Sequence, residues 1–143
     1  MAFAMKMRFV DVITDHTLKN NWANGEKIGY QFDIRLGYYR GHYLSAIDEF
    51  EVTVDGEKIE NQNLRFCING KKFAPNQLKE CFTEFWNLTD PATIMVIKKN
   101  GLTTGTHQIK VHLMLRIPYM QIGQGHQFMP LDSGQEKKVQ LFD

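Results

Sequence analysis

Two cysteines and four prolines are all that this 143-residue sequence contains of either type. Cys67 and Cys81 form no CxxC pair and sit in no nucleophile motif, so two reduced structural thiols are expected. No run approaches the ~18 apolar residues of a membrane-spanning helix. The stretch from Met1 to Arg8 has neither a long apolar region nor a small-residue cleavage site, so it does not read as a signal peptide. The expectation is a cytoplasmic, soluble protein with no membrane partner. Neither sign of charge predominates. Seventeen Lys and Arg stand against 16 Asp and Glu, a net +1, which argues against a general nucleic-acid binder. Hydrophobic residues make up 43% and charged residues 23%, which excludes wholesale disorder. The length suits one ordinary domain, large enough to bury a core without a disulfide or metal staple.

What the sequence does have is aromatic residues, 12% with ten Phe and five Tyr, and a two-residue period. Ile28, Tyr30, Phe32, Ile34 and Leu36 fall on one face of a strand, with Gly29, Gln31, Asp33 and Arg35 on the other. Phe50, Val52 and Val54 alternate with Glu49, Glu51 and Thr53. Asp55-Gly56, Asn69-Gly70 and Asn100-Gly101 supply two-residue turns between such runs. Ile109, Val111, Leu113, Leu115 and Ile117 form the clearest inward face, and Pro118 is expected to stop that strand. One short helix is expected over residues 75–82, with proline near its start and Leu78, Cys81 and Phe82 on one face. The missing alternation of helices excludes a parallel α/β barrel. The predicted fold is all-β: a single domain, an antiparallel β-sandwich or jelly-roll-like fold with one short helix. Residues 1–122 form the domain. Residues 123–143, rich in Gly, Gln and Lys, read as an extended C-terminal arm.

Candidate chemistry is sparse. His107 and His112 share a strand at an odd spacing, which points them to opposite faces and prevents joint chelation. His16, His42 and His126 lie near loop signals, and no pair has HxH or HExxH spacing, so no metal site is expected in this chain. Glu49 and Glu51 read as part of a charged outer face with Asp48 and Asp55. Gly123-Gln124-Gly125 lacks the flanking strand and helix of a phosphate loop. No catalytic residue is assigned. Two segments stand out as partner-binding candidates. The first, from Leu36 to Ser45, concentrates Tyr38, Tyr39, Arg40, His42 and Tyr43 beside Gly37 and Gly41, and Tyr and Arg are enriched at interface hot spots. The second begins at Ile117-Pro118-Tyr119-Met120 and continues into the arm, where Tyr119, Phe128 and Met129 are further interface candidates. His126 is the candidate nearest a substrate.

Taken together, these pieces resemble the small, or beta, subunit of C-glycoside deglycosidases. The resemblance rests on Gly37-Tyr38-Tyr39-Arg40-Gly41 with Leu44-Ser45-Ala46-Ile47-Asp48, and on Val52-Thr53-Val54-Asp55-Gly56. It continues through Phe66-Cys67-Ile68-Asn69-Gly70-Lys71-Lys72-Phe73, Trp86, Gly101-Leu102, Gly105-Thr106-His107 and Leu115-Arg116-Ile117-Pro118-Tyr119-Met120. It implies an accessory chain of a C–C lyase, inactive alone, in a hetero-oligomer with a larger alpha subunit. That partner would have a sugar-isomerase-like barrel and a divalent metal, typically manganese, while this chain holds no cofactor. The complex would eliminate an aromatic aglycone of flavonoid type from a 3-oxo-C-glycoside. Two other readings stand beside it: a stand-alone carbohydrate- or ligand-binding sandwich that uses Tyr38, Tyr39, Tyr43 and Trp86 as stacking platforms, and a cupin-like metalloenzyme.

Overall fold

The computed structural model describes residues 5–6, 10–38, 40–121 and 128–142, with the backbone alone for Lys6 and residues 118–121. These residues form two larger sheets and one small one. The first sheet runs β1 (Met5–Lys6), β12 (Phe128–Asp132), β11 (Gly105–Gln121), β5 (Ile47–Val54) and β6 (Glu57–Lys58), with β13 (Gln135–Leu141) also paired to β11. The second runs β2 (Lys19–Ala23), β3 (Glu26–Ile34), β10 (Ala92–Ile97), β7 (Leu64–Ile68) and β8 (Lys71–Phe73). A two-stranded sheet joins β4 (His42–Tyr43) to β9 (Phe85–Trp86). Pairing between these strands is antiparallel except for β1 on β12, which is parallel. The all-β, single-domain reading therefore holds. Among the described residues no helix is long and apolar enough to cross a membrane.

The period-2 faces meet across one core. Tyr30, Phe32 and Ile34 of β3 and Ile109 to Ile117 of β11 are buried, and the Phe50 and Phe66 rings meet edge-on at 5.4 Å between the sheets. Ile28 departs from the expected inward face and is 48% exposed. The β2–β3 register slips there: Asn21 faces Gly29 but Trp22 faces Lys27, so Ile28 sits in a bulge. The three expected turns adopt positive φ at both residues, as at Asp55 (51°) and Gly56 (84°). Asn24 and Gly25 (52° and 79°) form a fourth turn of this kind, between β2 and β3.

Three further expectations need correction. The segment over 75–82 is a 3₁₀ turn, Pro75–Glu80, and two further 3₁₀ turns occupy Leu44–Ala46 and Asn61–Asn63. Leu78 is buried, but the chain leaves helical geometry at Cys81, so Phe82 is 69% exposed rather than on the buried face. Pro118 does not stop its strand, because β11 continues to Gln121. Beyond Arg116 its partner is β12 in an irregular register that goes from Arg116↔Pro130 to Gln121↔Phe128, where a missing donor is tolerated.

The third correction concerns the C-terminal segment. Residues 128–141 are integral strands rather than a free arm: Leu131, Val139 and Leu141 are buried, and β13 pairs with β11 from Gly105↔Leu141 to Val111↔Gln135. Isolated apolar residues suffice here because only one face of β13 meets the core. The boundary at residues 122/123 lies outside the described residues. The N-terminal stretch stitches the two sheets. Thr14 N and Val12 O bond β3 and its continuation at Asp33 O and Arg35 N, while the Gln135 Oε1 on β13 accepts from Val12 N and Ile13 N at 2.8 and 2.9 Å.

Candidate functional site

The chain leaves β3 at Ile34 and passes through Leu36 and Tyr38, both buried, to reach β4. There the pleat sorts side chains into two classes. His42 pairs with Trp86 and Tyr43 with Phe85, so His42 and Trp86 point inward while Tyr43 and Phe85 point outward. Trp86 is buried, meets Phe66 at 5.3 Å, and donates its Nε1–H to Asp90 O at 2.9 Å. Outside, Tyr43 is 51% exposed and lies edge-on to Phe85 at 4.9 Å. Gly41 is required for this approach: a Cβ there would meet Trp86 O at 2.6 Å and the Phe85 ring at 2.7 Å.

Neighbouring residues brace the small sheet. Leu44 N donates to Glu84 O and Ser45 N to Cys81 O. Lys71 Nζ reaches Glu84 at 2.6 Å, and Asn69 donates to Phe85 O at 3.2 Å. Hydrogen bonds from Lys71 and Asn69 hold the Glu84 carboxyl below its ordinary pKa.

His42 is the unusual polar group. It is 3% exposed, its ring lies 5.7 Å from that of Tyr38, and among the described residues no hydrogen-bond partner reaches its Nε2. Burial and the nearby Arg40 charge bring its pKa down to about 4, so the ring is neutral at physiological pH.

Arg116 connects the two segments singled out in the sequence. Its Nη2 donates to Ser45 O at 2.6 Å and lies 3.3 Å from Asp48. Burial raises the Asp48 pKa, against the opposing pull of Arg116. The loop ending at Ser45 and the β11–β12 ribbon thus share one end of the molecule. Of the expected interface residues, Tyr43 and Arg40 are exposed, Tyr38 and His42 are buried, and Phe128 and Met129 are half-buried on β12. Tyr39 and His126 lie outside the described residues, as does the Tyr119 side chain. Tyr38 and Trp86, 2% and 1% exposed, cannot serve as sugar-stacking platforms, which removes half the aromatic set of the binding-module reading.

His107 and His112 do face opposite sides of β11. His107 is buried between Asp55 Oδ2 (2.6 Å) and Thr103 O (2.7 Å), whereas His112 Nε2 meets Glu49 at 2.7 Å on the outer face. From the sequence, Phe82 is expected on a buried helix face and Phe85 is not singled out, whereas Phe82 is exposed and Phe85 faces outward. The signal was the run Phe82-Thr83-Glu84-Phe85-Trp86, in which three of five residues are aromatic.

The family described as C-glycoside deglycosidase beta subunit matches residues 9–119. The chain belongs to that family. A C-glycoside deglycosidase beta subunit from Eubacterium cellulosolvens is 34% identical over 116 residues, 81% of this chain and 78% of that protein. A 3'-dehydrocarminate deglycosidase beta subunit from a Microbacterium species is 33% identical over 97 residues, 68% of this chain and 73% of that protein. A C-glycoside deglycosidase beta subunit from Arthrobacter globiformis is 32% identical over 95 residues, 66% of this chain and 72% of that protein. The segment shared with the deglycosidase beta-subunit family includes both strands of the small sheet and Arg116, whereas β12 and β13 lie beyond it.

Proposed function

We propose that this chain is the small, accessory subunit of a heteromeric lyase that cleaves the C–C bond between a 3-oxo sugar and an aromatic aglycone. The family match over residues 9–119 carries this reading. The name of the Microbacterium relative specifies a 3'-dehydro substrate, in line with a 3-oxo sugar.

The bond dictates the chemistry. A C–C glycosidic link has no leaving oxygen to protonate, so the two carboxylates of an O-glycosidase do not suffice. A carbonyl at C3 acidifies the C2 proton. A base removes that proton, the electron pair left at C2 forms a C1=C2 double bond as the C1–aryl bond breaks, and the pair of the broken bond passes to the aryl carbon, which takes up a proton. A divalent metal, manganese by the family resemblance, would polarise the C2 and C3 oxygens from the larger, barrel-shaped subunit.

This chain's own residues suit a supporting role. Among the described residues no three His, Cys, Asp or Glu side chains gather around one point. His107 and His112 are each engaged by a carboxylate, and His42 is enclosed. What the chain offers instead is a braced end surface made by Tyr43, Arg40 and the base of the β11–β12 ribbon. The test is co-expression with the larger subunit followed by size exclusion with light scattering. Co-elution as a stoichiometric complex is expected, and separate elution at micromolar concentration would contradict the proposal.

A further inference from the structure

Resting on that reading, we propose that the outer face of the β4–β9 sheet, Tyr43 with Phe85 and the adjoining Phe82, is the apolar centre of the surface that docks on the larger subunit. The inner face of this sheet is spent on the core through His42 and Trp86, so its outer face is the one left for another molecule. Phe82 is 69% exposed and Tyr43 51% exposed, and exposed aromatic residues that gather rather than scatter mark an interaction surface. Tyr43 lies edge-on to Phe85, and the backbone bonds from Leu44 to Glu84 and from Ser45 to Cys81 bring the segment that carries Phe82 alongside that of Tyr43.

Rigidity separates this face from an ordinary exposed loop. The Gly41 approach, the Lys71–Glu84 pair and the Asn69 bond to Phe85 O fix the sheet before any partner arrives. Aromatic side chains with few rotatable bonds, set in advance, lose little entropy on docking. The three rings offer on the order of 300 Å² of apolar surface, against about 800 Å² that each side of a standard interface covers. The patch is thus sized as an interface centre that needs a rim. Arg40, and Asp48 with Arg116 at the ribbon base, are exposed or partly exposed polar groups on neighbouring segments and fit that rim.

The occupant is the larger subunit rather than a second copy of this chain for two reasons. The chain belongs to a family whose members are named beta subunits, a name that implies a different subunit as partner. It also adjoins, through Leu44 and Ser45, the Arg116 link to the ribbon that carries the other interface candidates. Among the described residues two other aromatic side chains are exposed, each against a polar neighbour: Trp22 on edge strand β2 of the other large sheet carries Lys27 over its ring at 5.4 Å, and Phe142 stacks with His16 at 6.2 Å.

The test uses the full chain with its co-expressed larger subunit and three variants: Tyr43→Ser with Phe82→Ser, Arg40→Ala, and Trp22→Ser as control. All four positions are exposed, so circular dichroism and melting temperature are expected to stay near wild type. The double variant is expected to weaken complex formation about a hundredfold or more, as loss of two hot-spot rings does. Arg40→Ala should weaken it by less than tenfold, and Trp22→Ser should have no effect. If wild type pairs and the double variant pairs equally well, the docking assignment is overturned while the subunit reading stands. If wild type fails to pair, the subunit reading itself has failed. Concentration-dependent self-association of the isolated chain that the double variant abolishes would identify a second copy as the occupant and overturn the proposal.

Discussion

His107 faces two acceptors and no donor. Its Nδ1 lies 2.6 Å from Asp55 and its Nε2 2.7 Å from Thr103 O, and a neutral imidazole can donate to only one of them. Burial opposes the charge, but the bonds to Asp55 and Thr103 outweigh it and raise the pKa above the ordinary 6.5. A group with a raised folded pKa contributes stability that is complete below its unfolded value and lost as pH rises through the folded one. His42 has the opposite sign. Its pKa is lowered to about 4, so its contribution is complete above the ordinary 6.5 and is lost as pH falls toward about 4. Denaturation curves should therefore show stability eroding on both sides of neutrality. His107→Gln should remove the alkaline slope and cost about 1–3 kcal/mol, and His42→Phe should flatten the acid slope. Histidine NMR titration checks both directly. A His107 resonance titrating below 6.5 would contradict the first, and a His42 resonance titrating near 6.5 the second.

At the scale of the element, Gly29 and β13 show where sequence patterning reaches and where it stops. A Cβ on Gly29 would lie 2.1 Å from Val96 O, backbone that cannot move without breaking the β3–β10 ladder. Gly29→Ala should thus destabilise by roughly 3 kcal/mol or more in a thermal or denaturant melt. A near-neutral result would mean the strands are farther apart. Truncation before Gly134 removes the Gln135 bonds to Val12 and Ile13, together with buried Val139 and Leu141. It should leave an insoluble or molten chain. The inward faces of β3, β5 and β11 and three of the turns were legible, because strict alternation and Asp-Gly or Asn-Gly pairs encode them locally. β12 and β13 were not. Only one or two residues of each reach the core, so their place depends on a partner strand well separated in sequence, with Leu131 opposite Leu115, 16 residues away, and Leu141 opposite Gly105, 36 residues away. In the candidate interface, the Tyr and Arg content that singles out the segment is visible in the sequence. Which rings face out was decided by the pairing of β4 with β9, which no local pattern announces.

For the whole molecule, the proposed function divides labour between a braced β-sandwich that presents a surface and a partner that carries the reaction. Family membership makes this chain one of the deglycosidase beta subunits, and the outward Tyr43–Phe85 face and the Arg116 link are the features on which the proposed docking rests. Reconstitution tests this most directly. The full chain, the larger subunit and their mixture are each assayed for release of aglycone from a 3-oxo-C-glycoside, with the mixture also titrated by subunit ratio. The account predicts negligible release by the chain alone and release by the mixture that saturates at a fixed stoichiometry. Aglycone release by the isolated chain, or a larger subunit whose rate is indifferent to this chain at every ratio, would contradict it.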